Sequence, residues 1–318
     1  GTLRRYSEDG LWNIFWQRAE PYVPRPLRFE IAERMLFNGR PLIELPEEEV
    51  LAVVDDLKEL DVQAVAICFL NSYANPEHEN RTAELLREHL PGVSVSISTE
   101  IVPEFREFER WSTTVLNAYV GIAVGGYLKK LSYTLRNEGY SGELFFMTSS
   151  GGILTEATAN DHPVRFLLSG PAAGVSAAVH LGESARFCNM ITYDMGGTST
   201  DVSLIKDLSP TVTRERMFSG VPIKTPQLDI ATIGAGGGSI AWVDEQARLR
   251  VGPQSGGASP GPASYAKGGT EATVTDANLL LGRLSDGALL GGAISLDRKL
   301  AEQAIKSLAK QIRVTDLY

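Results

Sequence analysis

The stretch Met190-Ile-Thr-Tyr-Asp194-Met-Gly196-Gly197-Thr198-Ser199-Thr200-Asp201-Val-Ser-Leu-Ile205 decides how this 318-residue chain is read. An apolar strand delivers Asp194 to a glycine turn, and a second strand leaves it with the alternation Thr200, Val202, Leu204. This is strand–turn–strand, unlike the strand–loop–helix of a Walker loop, and no Gly-x4-Gly-Lys-Ser/Thr occurs. Gly196 and Gly197 allow close backbone approach to a ligand and expose N–H groups that, with the Thr198 hydroxyl, can cradle phosphate oxygens. Asp194 and Asp201 bracket the turn from opposite strands, so their carboxylates can converge at its mouth. Two acids beside a phosphate repel it unless a hard cation intervenes, and Mg²⁺ is the expected bridge. The plain alternative is a hairpin whose turn is capped by Asp; the whole Asp-x-Gly-Gly-Thr-x-x-Asp pattern between apolar flanks favours the phosphate reading.

Two other segments share this texture. Ile233-Gly234-Ala235-Gly236-Gly237-Gly238-Ser239-Ile240 places three glycines in a row, each costing about 1 kcal/mol against alanine in a regular element. Something must approach that backbone closely, or the chain must take positive φ. A nucleotide's ribose or phosphates would fit at Gly234 and Gly236 to Ser239; a tight connection into the hairpin Ile240–Val243/Leu249–Val251 is the alternative. In Leu167-Leu168-Ser169-Gly170-Pro171-Ala172-Ala173-Gly174, Ser169 or Gly170 can cap a helix that Pro171 starts, and an anion could rest there. Helix capping accounts for Thr275-Asp276-Ala277-Asn278. The segment Gly252 to Pro262 is too stiff for a free linker and is expected as an ordered loop.

Outward from these motifs, Pro46-Glu47-Glu48-Glu49 opens a helix, Val62–Leu70 is an apolar run suited to a strand buried on both faces, and a second helix runs from Pro76 to Pro91-Gly92. Val93–Ile97 alternates as a strand, and a long helix follows over about 103–137, with Phe105, Phe108, Trp111 or Val115, and Tyr119 expected in the core. Strand–helix–strand alternation predicts an α/β fold with a largely parallel sheet. A domain boundary is expected near 117–142, dividing the chain into 1–120 and 121–318. The chain closes with an amphipathic helix, Asp297 to Ile312. Trp12, Phe15 and Trp16 are expected in a short helix.

Composition limits the function classes. Apolar residues at 43% and charged residues at 22% give a globular balance. Asp and Glu outnumber Lys and Arg by 39 to 30, for a net charge of −9, which disfavours a nucleic-acid partner. No apolar stretch reaches the roughly 18 residues of a membrane span. Cys68 and Cys188 lie in apolar runs and read as buried free thiols of a reducing compartment, the cytoplasm. The four histidines, His78, His89, His162 and His180, show no zinc spacing.

Taken together and in order, the motifs resemble those of the hydantoinase A/5-oxoprolinase family, which includes acetone carboxylase-like subunits. The matching pieces are Phe69-Leu-Asn-Ser-Tyr73 with Asn75-Pro76, Glu109-Arg-Trp-Ser-Thr-Thr-Val-Leu-Asn-Ala-Tyr119, Ser150-Gly-Gly152, Ser169 to Gly174, Asp194 to Asp201, Gly234 to Ser239 and Thr273-Val-Thr-Asp-Ala-Asn278. The resemblance implies lobes of the actin-like ATPase (ribonuclease H-like) superfamily, closing on ATP and Mg²⁺ with a phosphate hairpin from each lobe. It implies Asp194 and Asp201 as catalytic and metal-linked residues, with Gly196, Gly197, Thr198, Thr200, Gly234, Gly236, Gly237, Gly238, Ser239, Ser169 and Gly170 around the nucleotide. The implied reaction is ATP-dependent opening of a cyclic amide such as a hydantoin or 5-oxoproline, by phosphorylation of the amide carbonyl oxygen. A B-type subunit or domain and a homo-oligomer are the implied partners. An ATP-dependent carboxylase subunit and a catalytically silent scaffold piece are the alternatives. Relatives begin with an Asp-x-Gly-Gly-Thr strand pair; none precedes residue 194 here, so the chain is expected to start about a hundred residues into the family pattern and to hold an incomplete pair of lobes. Ala258-Ser259-Pro-Gly-Pro-Ala-Ser264-Tyr265 stands where the family has an acid and a thiol, at positions 259 and 264.

Overall fold

The computed structural model describes Trp12, Phe15 and residues 21–218, 220–285 and 295–312. The chain forms two compact units, the first built from Gly1–Ala173 with Val212–Leu228 and the second from Gly174–Thr211 with Asp229–Tyr318. The division falls inside a helix that starts at Ser169, whereas the expected junction at 117–142 is crossed by one unbroken helix. Trp12 and Phe15 are exposed, and Trp16 lies outside the described residues.

The first unit begins as the sequence predicts. Helix α1 (Glu47–Glu59) carries Glu47, Glu48 and Glu49 in its first turn, against the positive end of its dipole. Strand β1 (Ala64–Ile67), helix α2 (Glu77–His89) and strand β2 (Ser94–Ile97) form a β–α–β unit with β1 and β2 parallel, Ala64 opposite Ser94 and Ile67 opposite Ile97. Val54, Leu57, Ile67, Ala83, Leu86, Leu90 and Ile97 close one core. The architecture is α/β, but this is the one parallel pair among the described residues; every other strand pairing is antiparallel. The apolar run at 62–70 therefore reflects a strand sandwiched by helices on a two-stranded ribbon, not the centre of a wide parallel sheet.

Helix α3 (Glu107–Asn137) corrects the core prediction. Phe105 and Tyr119 are exposed, and the fully buried side of the helix carries Glu109, Arg110, Thr113, Thr114, Leu116 and Asn117. Arg110, Thr113 and Asn117 are enclosed because the surrounding backbone needs them. Arg110 donates to the carbonyls of Glu104 (3.0 Å) and Phe69 (2.6 Å). Thr113 Oγ1 accepts from Lys224 N–H (2.8 Å), and Asn117 donates to Ser96 and the Asp161 carbonyl while accepting from Val164 N–H. No helix among the described residues is long and apolar enough to cross a membrane.

The two cysteines differ. Cys68 is only half-buried as a residue, yet burial of its thiol pushes the pKa up, with the Glu79 charge adding to the effect. Cys188 is exposed, contrary to expectation, because it lies just before an edge strand and not in the core. Since the thiolate is the nucleophile, iodoacetamide on the native protein is expected to alkylate Cys188 and leave Cys68 intact until the chain unfolds. Peptide mass spectrometry reads this directly, and equal native labelling of both would contradict it.

The second unit takes over within helix α4 (Ser169–Ala185). Strands β3 (Met190–Met195), β4 (Thr200–Lys206) and β5 (Ala231–Ile233) form an antiparallel sheet in the order β5-β4-β3. Strands β6 (Ser239–Val243) and β7 (Leu249–Ser255) make the predicted hairpin. Helix α5 (Val274–Leu280) and helix α6 (Arg298–Gln311) complete it, with Asp297 capping α6 through Lys299 and Leu300 N–H. Leu300, Ile305 and Leu308 of α6 pack on Ala263, Ala272 and Ala304.

Candidate functional site

Strands β3 and β4 pair in a register that sets Asp194 directly opposite Asp201. Residues directly opposite in an antiparallel pair project from the same face of the sheet, so the two carboxylates share a face beside the turn. Asp194, Gly196, Gly197 and Thr198 are exposed, and Asp201 is half-buried. Thr232 Oγ1, on β5, donates to Asp201 Oδ1 at 2.7 Å and fixes that carboxylate. The turn is closed by Gly196 N–H to Ser199 O (2.9 Å). Among the described residues no acceptor engages the amides of Gly197 and Thr198.

The glycine loop 234–239 lies against this turn. Gly237 N–H donates to Gly196 O (2.9 Å) and Gly238 N–H to Gly197 O (2.6 Å). Thr200 Oγ1 donates to Ala235 O (2.5 Å), and Ser239 Oγ accepts from Gly236 N–H (2.8 Å). A Cβ on Gly236 would stand 2.7 Å from backbone atoms of Thr198 and Ser199, and one on Gly238 would stand 2.9 Å from Gly197 O. The close approach that the glycine run demands is thus made by the neighbouring turn. Gly236, Gly238, Ser239 and Thr200 are buried, and Gly234 is exposed.

The predicted Ser150–Gly152 and Ser169–Gly170 belong to the first unit. Ser169 and Gly170 start α4, and the residue before them is tied to the 148–152 loop by Leu168 N–H donating to Ser149 Oγ (3.0 Å). Ser149 Oγ donates in turn to Arg165 O (2.8 Å), so the residues just before the Ser150-Gly-Gly152 and Ser169–Gly174 motifs are hydrogen-bonded to each other. His162 is half-buried; burial first and Arg165 second push its pKa down, favouring neutral imidazole. Sequence reasoning missed Thr232, and it read Thr275 only as part of a helix cap, which Thr273 in fact provides. The roles of both arise from cross-strand register and helix placement.

The family models that match this chain are Hydantoinase/oxoprolinase, over residues 110–317, and Hydantoinase/oxoprolinase N-terminal region, over residues 4–90. The chain belongs to the hydantoinase/oxoprolinase family. Within that family it is 41% identical to caprolactamase subunit alpha of Pseudomonas jessenii, over 95% of this chain and 44% of the relative. It is 38% identical to 5-oxoprolinase of Saccharomyces cerevisiae, over 76% of this chain and 19% of that one. The nucleotide-free structure of acetone carboxylase, titled for ATP-dependent acetone carboxylation, matches with a TM-score of 0.77 at 30% identity, covering 93% of this chain and 42% of that one. This family member therefore spans less than half the length of each of these three relatives.

No cluster of three or more His, Cys, Asp or Glu suited to a metal occurs among the described residues. Two carboxylates on one face fit Mg²⁺, which keeps several waters and takes its remaining ligands from phosphate oxygens. Asp194 and Asp201 are the residues that would hold it.

Proposed function

We propose that this chain supplies an ATP-binding hairpin of an actin-like lobe to an enzyme that opens a cyclic amide. The observation that carries the reading is the cross-strand Asp194–Asp201 pair beside an exposed glycine turn. Gly197 and Thr198 offer N–H groups to the phosphate oxygens, and Asp194 and Asp201 orient the magnesium that offsets their charge. Ser239, Gly236 and Gly238 act beneath the turn, supporting its shape; Gly234 and Thr200 complete the nucleotide surroundings within the second unit. In the proposed reaction the amide carbonyl oxygen attacks the γ-phosphorus and ADP leaves. Water then adds to the activated carbon, the ring C–N bond breaks with its nitrogen taking a proton, and a second water cleaves the resulting acyl phosphate to the carboxylate and inorganic phosphate. The relatives named 5-oxoprolinase and caprolactamase support this chemistry, and the name "subunit alpha" supports a partner subunit.

A second reading has its own support in the acetone carboxylase match. There ATP activates a ketone or bicarbonate, and the product is a carboxylated ketone. Product analysis of the full-length enzyme with its partner separates the two. Phosphate release with 5-oxoproline or hydantoin alone, yielding the ring-opened amino acid, is the expected result. Turnover that requires both bicarbonate and a ketone would install the carboxylase reading instead.

A further inference from the structure

Helix α5 opens with more polar groups than its capping requires. Thr273 Oγ1 accepts from Asp276 N–H (3.3 Å), and Asp276 Oδ2 accepts from Thr273 N–H (3.0 Å) and its hydroxyl (2.7 Å), a complete capping box. Asp276, fully buried, also takes Ser264 N–H (2.8 Å) and Ala263 N–H (3.3 Å). Thr275 has no part in this. Its own N–H (2.7 Å) and its hydroxyl (2.8 Å) both donate to one acceptor, Gly237 O.

That acceptor belongs to the peptide unit whose N–H is Gly238's, and Gly238 N–H donates at 2.6 Å to Gly197 O. Gly197 O in turn belongs to the peptide unit whose N–H is Thr198's. In a planar trans peptide the C=O and N–H point in opposite directions. Holding Gly197 O toward the glycine loop therefore aims Thr198 N–H away from it, on the exposed side of the turn. Gly237 N–H bonding to Gly196 O aims Gly197 N–H outward in the same way. Hydrogen bonds in series polarise one another, most strongly where water is excluded, and Gly238 and Thr275 are buried.

We infer that Thr275 is a positioning residue for the phosphate turn, orienting and polarising Thr198 N–H through the peptide groups Gly237–Gly238 and Gly197–Thr198. The inference rests on the turn binding phosphate, as proposed above. The relay itself exists without ligand.

The test uses the full-length protein with Thr275→Val, which keeps the branched shape and removes the hydroxyl, and Thr275→Ser, which restores it. Calorimetry with Mg·ATP is expected to show about five- to tenfold weaker binding for the Val variant, the size of one polarised hydrogen bond, and recovery to within about twofold for Ser. In ligand-free protein labelled with ¹⁵N-threonine, the Thr198 amide proton is expected to move upfield in Val and to return in Ser. Unchanged Thr198 resonance in the Val variant overturns the relay whatever the nucleotide does. Val binding within twofold of the parent, or failure of Ser to rescue, overturns the positioning role. If the parent itself does not bind Mg·ATP, the phosphate reading and this role fall together, while the Thr198 shift still reports whether the relay exists.

Discussion

Asp194→Asn is expected to lower ATP turnover of the full-length enzyme at least a hundredfold, a loss of about 3 kcal/mol or more in transition-state stabilisation. The side chain keeps its size and one oxygen, so the change isolates the charge. Asp194 is exposed and faces Asp201 across the strands. Like charges directly opposite each other destabilise a sheet pair, so removing one is expected to leave stability unchanged or slightly raised. Lost turnover with an intact melting temperature is the signature of a residue that serves the ligand. Near-normal phosphate release in a coupled assay would sink the role assigned to Asp194, and with it the hairpin's.

The largest stability effect is expected at Glu79. This carboxylate is fully buried in the first unit. It accepts from Phe69 N–H (2.7 Å), Ser72 Oγ (2.9 Å), Ser98 Oγ (2.7 Å), Thr99 N–H (3.1 Å) and Thr99 Oγ1 (3.1 Å). It thereby ties the first turn of α2 to the loop after β1 and to the helical turn Ser98–Ile101 that follows β2. Buried Arg110, which donates to Phe69 O, supplies the compensating positive charge nearby. Glu79→Ala strands those donors in a dry interior at about 1–3 kcal/mol apiece before relaxation, so a loss of about 4 kcal/mol or more is expected. Urea unfolding of the full chain measures it. A loss under about 1 kcal/mol would mean that water fills the gap and the node is dispensable.

What the sequence disclosed, and what it withheld, divides along a physical line. Short-range signals were legible: the acids opening α1, the Pro-Gly stop of α2, the β3–β4 hairpin and the α6 stripe are each set by neighbours a few residues apart. Long-range pairing was not. The apolar run at 62–70 indicates burial without stating how many strands share the sheet. The aromatics before and along α3 suggested a greasy face; the face that is buried is chosen instead by where Lys224, Ser96 and Val164 present groups to Thr113 and Asn117. Within the site, the motif identified Asp194, Asp201 and the turn. That the glycine loop touches this turn, and that Thr232 steadies Asp201, depends on register between distant strands. The resemblance carried the family assignment; the motifs' spacing alone carried the strand–turn–strand hairpin, whose binding of phosphate is the proposal.

The seam beneath α3 has a further consequence. A joint of oily surfaces can creep, trading one contact for a similar one with little loss at each step. One made of matched donors and acceptors has a single fit, because sliding the rod by a residue leaves every partner empty at once. The rod at 107–137 should therefore stay seated or come away whole, with no intermediate slippage to blur the geometry it fixes.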